Sequence, residues 1–246
     1  MFIYVGIIHS QKINEDNILN IDYKILFILL ISLLTIFISG ERAAFVLAML
    51  GTIIYLTVNF NFRVIVIILS IISIVFMTFL EKPNFKNRYT ELFETIFIQK
   101  NIGQSTHHQH FRTSLKMYQE KKFFGHGIKS FREKCKLKKY NSGPRSCSTH
   151  PHNYYLQLLS ATGIFTFLIL LSFFIFVSFE LLKNFYNKIN KIRINNKKNC
   201  YLISAFISIF PLTTTGSFFN NWISVTLFLS LGFLISEYKL IKYLKN

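Results

Sequence analysis

Acidic side chains are scarce in this chain: 11 Asp and Glu stand against 28 Lys and Arg, a net charge of +17 over 246 residues. The scarcity bears first on metal chemistry. His107, His108 and His110 form a short cluster, yet no acidic or cysteine residue stands near them at a recognised ligand spacing. A solvated loop is therefore the expected setting, and neither a metal nor another cofactor is expected. Only three cysteines are present, which limits the chain to one intramolecular disulfide. The glycine-rich phosphate loops of nucleotide-binding proteins are missing, since Gly125-His126-Gly127 fits none of their spacings. No stretch repeats internally. Met1 to Ile8 is too short and too weakly flanked for a signal peptide, so insertion falls to the first spanning helix.

What the chain has in quantity is apolar bulk: 51% hydrophobic residues, with 28 Phe, and a positive mean hydropathy. A soluble domain of this size does not place such content in uninterrupted runs, so the expected class is an all-α, polytopic integral membrane protein. The basic residues gather between the runs, which makes them topology determinants and partners for anionic lipid or phosphate rather than for nucleic acid. Ile25 to Ser39 and Ala43 to Val58 are separated by Gly40-Glu41-Arg42. As one helix they would reach roughly 50 Å against a hydrocarbon core of about 30 Å, so a tight helical hairpin with Arg42 at its turn is predicted. A third span is expected at Val64 to Leu80, ended by Glu81-Lys82-Pro83-Asn84, and a fourth from Tyr154 to about Phe179. Tyr201 to Thr215 and Trp222 to Ile235 make a final pair. About six transmembrane helices result, in a single membrane domain covering residues 1–246.

Residues 81–151 are the one long polar segment. Within it Phe111, Leu115 and Tyr118 recur at helical spacing after a cap at Ser105 or Thr106, which predicts a helix on the membrane surface or packed over the spans. Phe124 to Ile128 reads as a turn. Lys12, Lys24, Arg63, the Lys183 to Lys198 connection and the Lys239 to Lys245 tail all fall on one side, which the positive-inside rule makes cytoplasmic. Long loops translocate with little regard for charge, so residues 81–151 face outward. The functional face is then expected to open into the periplasm or its equivalent. Cys135 and Cys147 share that loop, and a disulfide between them suits an oxidising compartment; Cys200 falls on the cytoplasmic side, unpaired.

This topology brings Arg42, Arg112, His150 and His152 to one face. Pro151 and Asn153 are helix start signals, with Asn153 placed to cap the first free N–H groups of the fourth span. Two imidazoles thus sit at the mouth of a membrane helix. An interfacial Arg alone snorkels as readily as it binds an anion, and a lone His there is an anchor; their convergence favours function. Gly163 and Thr166, with Ser160, form a small-residue row at i, i+3 spacing that reads as helix packing.

His152-Asn153, nine residues, then Gly163 and Thr166 resembles the signature of the O-antigen ligase and O-antigen polymerase superfamily. Ser39-Gly40-Glu41-Arg42 is similar to its Ser-x-x-Arg turn. Arg112, Phe124-Gly125-His126-Gly127 and Phe131 are similar to its outer-loop Arg and Gly-x-Gly turn, with Lys122 where a Pro commonly precedes that turn. The resemblance runs from about Ile25 to Ile235 and lacks several N-terminal spans usual in the superfamily, so it corresponds to a C-terminal portion. It implies a membrane glycosyltransferase that moves a glycan from an undecaprenyl-diphosphate carrier to a hydroxyl of a glycan or lipid A-core acceptor, without nucleotide sugar or metal.

Under that resemblance Arg42 and Arg112 hold the diphosphate, because guanidinium forks suit its oxygens and stabilise charge developing on the leaving group. His152, with His150 second, takes the proton of the attacking hydroxyl. A helix N-terminus and nearby arginines are expected to keep that imidazole neutral, and Asn153 caps the helix or orients it. Ligase and polymerase share donor chemistry and are not separated. A transporter component would also explain the spans and Arg42, but the later spans have almost no charged residue to line a path. An inactive fragment retaining the fold's second half is the remaining alternative.

Overall fold

The computed structural model describes residues 1–11, 23–59, 106–192 and 194–243, and among these it has helices and no strand. The helices are α1 (Phe2–Gln11), α2 (Tyr23–Ser39), α3 (Arg42–Asn59), α4 (Thr106–Glu120), α5 (Phe131–Lys134), α6 (Tyr154–Thr162), α7 (Ile164–Ile189), α8 (Asn196–Ser208) and α9 (Asn221–Tyr243). The expected span Val64 to Leu80 lies outside the described residues. The chain divides into two compact units: Met1–Glu94 with Val177–Ser208 and Ser230–Asn246, and Thr95–Phe176 with Ile209–Leu229.

In the first unit α2 carries no charge beyond Lys24 and runs until Gly40, which takes φ 76° and donates its N–H to the Phe37 carbonyl at 3.1 Å. That left-handed step suits glycine and stops the helix, so Arg42 opens α3 two residues later. Ile25, Leu29, Leu33 and Phe37 form the buried edge of α2, while Phe27, Ile31 and Ile38 are exposed. A helix apolar on its covered and uncovered sides alike is at home in lipid. Small residues set the packing of α1: a side chain at Gly6 would strike the Tyr201 ring of α8, and one at Gly51 of α3 would strike the Phe2 ring. Charge gathers at the helix ends, where Lys198 pairs with Glu180 at 2.6 Å, Lys197 pairs with Glu237 at 2.8 Å, and Tyr238 donates to Glu180 at 2.7 Å.

The second unit contains α4, α5 and α6. One core cluster joins Tyr154, Tyr155, Leu158, Leu170, Ile209 and Leu227; a second, under the polar segment, joins Met117, Phe131, Cys135 and Tyr140. Two expected elements are redrawn. The fourth span is not one helix from Tyr154, because α6 ends at Thr162 and α7 begins at Ile164. The helix expected from Tyr201 to Thr215 stops at Ser208, and residues 209–220 run as an irregular segment.

Among the described residues α3 and α7 are long and apolar enough to cross a membrane, and Lys24–Ser39 is a shorter apolar helix. A core helix of a soluble protein passes the same test when it is buried. In α7 only 11% of the most apolar window is covered, and Phe165, Leu168, Ile169, Phe176, Phe179 and Leu182 stay exposed. Such a helix needs a hydrocarbon solvent. The all-helical class stands, and of the six expected spans these two meet the length and composition of a crossing helix.

Candidate functional site

The site is built on the start of α6. Asn153 has an extended backbone (φ −152°, ψ 129°), and its Oδ1 accepts from the Leu156 N–H at 3.2 Å, the geometry of an N-cap. Its Nδ2 donates to the Pro211 carbonyl at 2.7 Å and the Thr213 carbonyl at 3.3 Å. Gln157, one turn on, donates to Ser217 Oγ and accepts from the Phe218 N–H, both at 2.8 Å; Tyr155 donates to the Ile209 carbonyl at 2.7 Å. These contacts explain why residues 209–215 are not helical. Pro211 has no N–H to continue α8, and α6 supplies partners for carbonyls and N–H groups of a half-buried segment that is not helical.

That segment holds the histidines. Thr215 donates its N–H to the His152 carbonyl at 2.8 Å, and His150 Nε2 donates to the Thr215 carbonyl at 3.3 Å. Because a carbonyl only accepts, neutral His150 carries its proton on Nε2, and its Nδ1 accepts from Thr149 Oγ1 at 2.8 Å. His152 Nε2 lies 3.0 Å from Ser148 Oγ. The residue has φ 58°, a left-handed conformation uncommon outside glycine but visited by histidine, and the Thr215 contact holds it there. Its ring lies 4.2 Å from that of His150, 5.3 Å from His110 in a stacked arrangement and 5.4 Å from His107 edge-on.

Four imidazoles therefore meet where two were expected, and His107 and His110 are not in a solvated loop. They occupy the first turns of α4. The buried face of that helix is Gln109, His110, Thr113, Ser114 and Met117, not Phe111, Leu115 and Tyr118. The face is polar because its partners are: Ser114 donates to the Leu156 carbonyl at 2.6 Å, and Gln109 Oε1 accepts from the Arg145 N–H at 2.9 Å. His110 is 3% exposed, and neither ring nitrogen makes a hydrogen bond of good geometry. The signal in the sequence was the spacing of His107 and His110, i and i+3 on one helix face.

Desolvation disfavours the charged form of these rings, and at His110 and His152 the neighbouring imidazoles add to it. His152 is lowered to about 4, first by desolvation and then by His150, His110 and His107, with a backbone contact at Thr215 opposing. His150 is lowered by desolvation; His110 is lowered by desolvation and by His107, partly offset by the backbone at Cys147 and Arg145. No arginine is among these causes; desolvation and the neighbouring imidazoles are. Among the described residues no group of three or more His, Cys, Asp or Glu is arranged to hold a metal ion, since the rings meet by faces and edges.

The Gly-x-Gly turn serves the end of α6. Gly125 (φ 62°) and Gly127 (φ 100°) bring the N–H groups of His126 and Gly127 to the Ser160 and Ala161 carbonyls at 2.9 and 2.8 Å. His126 donates from Nε2 to the Met117 carbonyl at 2.9 Å and accepts from Lys134 at 2.7 Å, so it anchors the turn. Gly163 adopts φ 85°, ψ −169°, open in practice only to glycine, and a Cβ there would fall on the Phe123 carbonyl. Its small size serves this break and not a row with Ser160 and Thr166; Thr166 lies within α7, half-buried.

Arg112 is exposed on α4, two positions from His110 and so on nearly the opposite side of the helix. Arg42, half-buried, opens α3 in the other unit. Cys135 and Cys147 are joined as a disulfide with Cα atoms 5.1 Å apart, and Cys200 is a buried free thiol.

Apolar, uncovered helices and a polar, imidazole-lined site define a helical integral membrane protein that carries a hydrophilic reaction or binding site. The O-Antigen ligase family model matches residues 27–171, more than half of the chain and including Arg42, Arg112 and the whole histidine cluster. The chain belongs to the O-antigen ligase family. At family level this makes it a membrane glycosyltransferase of the O-antigen ligase or polymerase type, with lipid-linked glycans as its substrate class. No curated protein and no solved structure matches the chain.

Proposed function

We propose that the chain transfers a glycan from an undecaprenyl-diphosphate carrier to an acceptor hydroxyl at the periplasmic face of the inner membrane, in the manner of an O-antigen ligase and without a metal. His152 is the general base. The observation that carries this reading is its ring, held neutral among three other imidazoles and bonded to Ser148 at 3.0 Å. With Nε2–H donating to Ser148, the Nδ1 lone pair is the one that takes the acceptor's proton as its oxygen attacks the anomeric carbon. His150 is the poorer base, because Thr149 already occupies its lone pair.

Arg42 and Arg112 are assigned to the diphosphate. Arg42 stands at the N-terminus of an 18-residue helix, where the dipole disfavours a cation and favours an anion beside it. Arg112 is exposed and thus open to a ligand. As the glycosidic bond to phosphate breaks, the charge gained by the leaving group is the one a guanidinium stabilises most.

The test is transfer of a labelled lipid-diphosphate glycan by the reconstituted chain, with and without chelator. His152→Ala should cut transfer by about 10²-fold or more while leaving donor binding largely intact. Unchanged transfer would return His152 to a helix-mouth anchor, and loss of wild-type transfer on chelation would overturn the metal-free route.

A further inference from the structure

The tip of the Gly-x-Gly turn is apolar. Phe123, Phe124 and Ile128 are 62%, 84% and 60% exposed, an arrangement that water does not favour. The tip is not loose. The Lys122 carbonyl accepts from the Ile164 N–H at 2.9 Å, and the Phe123 ring lies 6.2 Å from that of Phe165. The cluster is thereby fixed level with the first turn of α7, and the exposed side chains of Phe165, Leu168 and Ile169 continue it along the span. Lys121, Lys122 and Lys129 are exposed around it.

We propose that Phe123, Phe124 and Ile128 form a wedge seated in the interfacial layer of the bilayer, with the three lysines against anionic headgroups. Phe and other apolar side chains of an interfacial element bury themselves at the boundary between headgroups and acyl chains. Lysines beside it add attraction to anionic lipid. Lipid is the occupant the position selects, because the wedge is continuous with the uncovered apolar side of α7, a helix long and apolar enough to cross a membrane. Its role is to hold α4 and the histidine cluster at constant depth. The inference rests on α7 as a membrane span and stands apart from the assignment of His152.

The experiment uses the full chain carrying Trp222→Phe, which removes its one tryptophan, in vesicles of phosphatidylcholine and phosphatidylglycerol. A reporter is placed by Phe124→Trp or, as a second variant, Ile128→Trp, and Lys138→Trp marks an exposed position on the same segment. Both wedge reporters should emit at shorter wavelength, be quenched by lipids with brominated chains and resist acrylamide, whereas the 138 reporter should be open to acrylamide and insensitive to bromine. Bromine quenching of the wedge should rise with phosphatidylglycerol content; no dependence would overturn the lysine contact. Acrylamide access at 124 and 128 would overturn the wedge. So would protection from acrylamide without bromine quenching, which would mean that protein covers the tip, or equal bromine quenching at 138.

Discussion

Acid titration of the transfer reaction isolates the state of His152. An imidazole of ordinary pKa near 6.5 is neutral at pH 5.5 in about one molecule in ten, whereas one lowered to about 4 is neutral in nearly all. Transfer at pH 5.5 should therefore stay within roughly 10% of its plateau instead of falling about tenfold, and should fail only as the pH approaches 4. The apparent value belongs to the cluster, since four rings share one neighbourhood. His150→Gln removes one repelling neighbour and should move the acid limb upward, though not to 6.5, because desolvation is the larger cause. The assay is kcat/KM for labelled glycan transfer in vesicles between pH 4 and 8. A half-maximum near 6.5 would refute the neutral, desolvated ring. The same shift has a stability counterpart. The folded pKa lies below the unfolded one, so this contribution is fully present above about 6.5 and is lost as pH falls towards 4, where the unfolded chain binds the proton and the folded chain does not. The full shift corresponds to about 3 kcal/mol, and solvent screening of a half-buried ring reduces it to roughly 1–2 kcal/mol.

Arg42→Ala and Arg112→Ala should each weaken donor binding and slow transfer, with Lys restoring only part, since a point charge cannot reproduce a two-pronged contact; full rescue by Lys in a transfer assay would argue against a guanidinium fork. Gly163→Ala should lower stability by roughly 1–3 kcal/mol, as a left-handed, Gly-only conformation meets the Phe123 carbonyl, and an unchanged Tm in detergent would refute that account. Reduction of the Cys135–Cys147 bridge should cost roughly 2–4 kcal/mol, and non-reducing peptide mapping should recover the two cysteines as one linked peptide. Cysteine probes placed at 141 and 195 should label from the outer face at 141 only; labelling at 195 would invert the proposed topology.

The hairpin at Gly40, the existence of α4 and the cap at Asn153 were legible because each rests on a local rule: a run length, a period or a capping side chain. The break at Gly163 was not, since a lone glycine inside an apolar run is tolerated by a continuing helix and only the Phe123 carbonyl beside it demands the break. Residues 209–215 read as a span because their apolar side chains resemble one; the buried amides of Asn153 and Gln157 that hold the segment irregular come from more than 50 residues away. His107 and His110 were misplaced for a related reason. Apolar periodicity picks out Phe111, Leu115 and Tyr118, yet α4 buries its polar face, and polarity is readable as a core only once the facing carbonyls are known.

The contacts around Gly163 bear on the order in which the chain can be assembled. Residues 122–127 close the last carbonyls of α6 and one of the first N–H groups of α7, and they precede both helices in the sequence. During N-to-C synthesis the closing turn therefore already exists when each helix end is produced, and neither helix end has to wait with those groups unpaired. Moving the turn behind α7 by circular permutation would preserve every native contact and remove that advantage. The permuted chain would be a slower inserter with the same final fold, a difference seen in insertion kinetics and not in equilibrium stability.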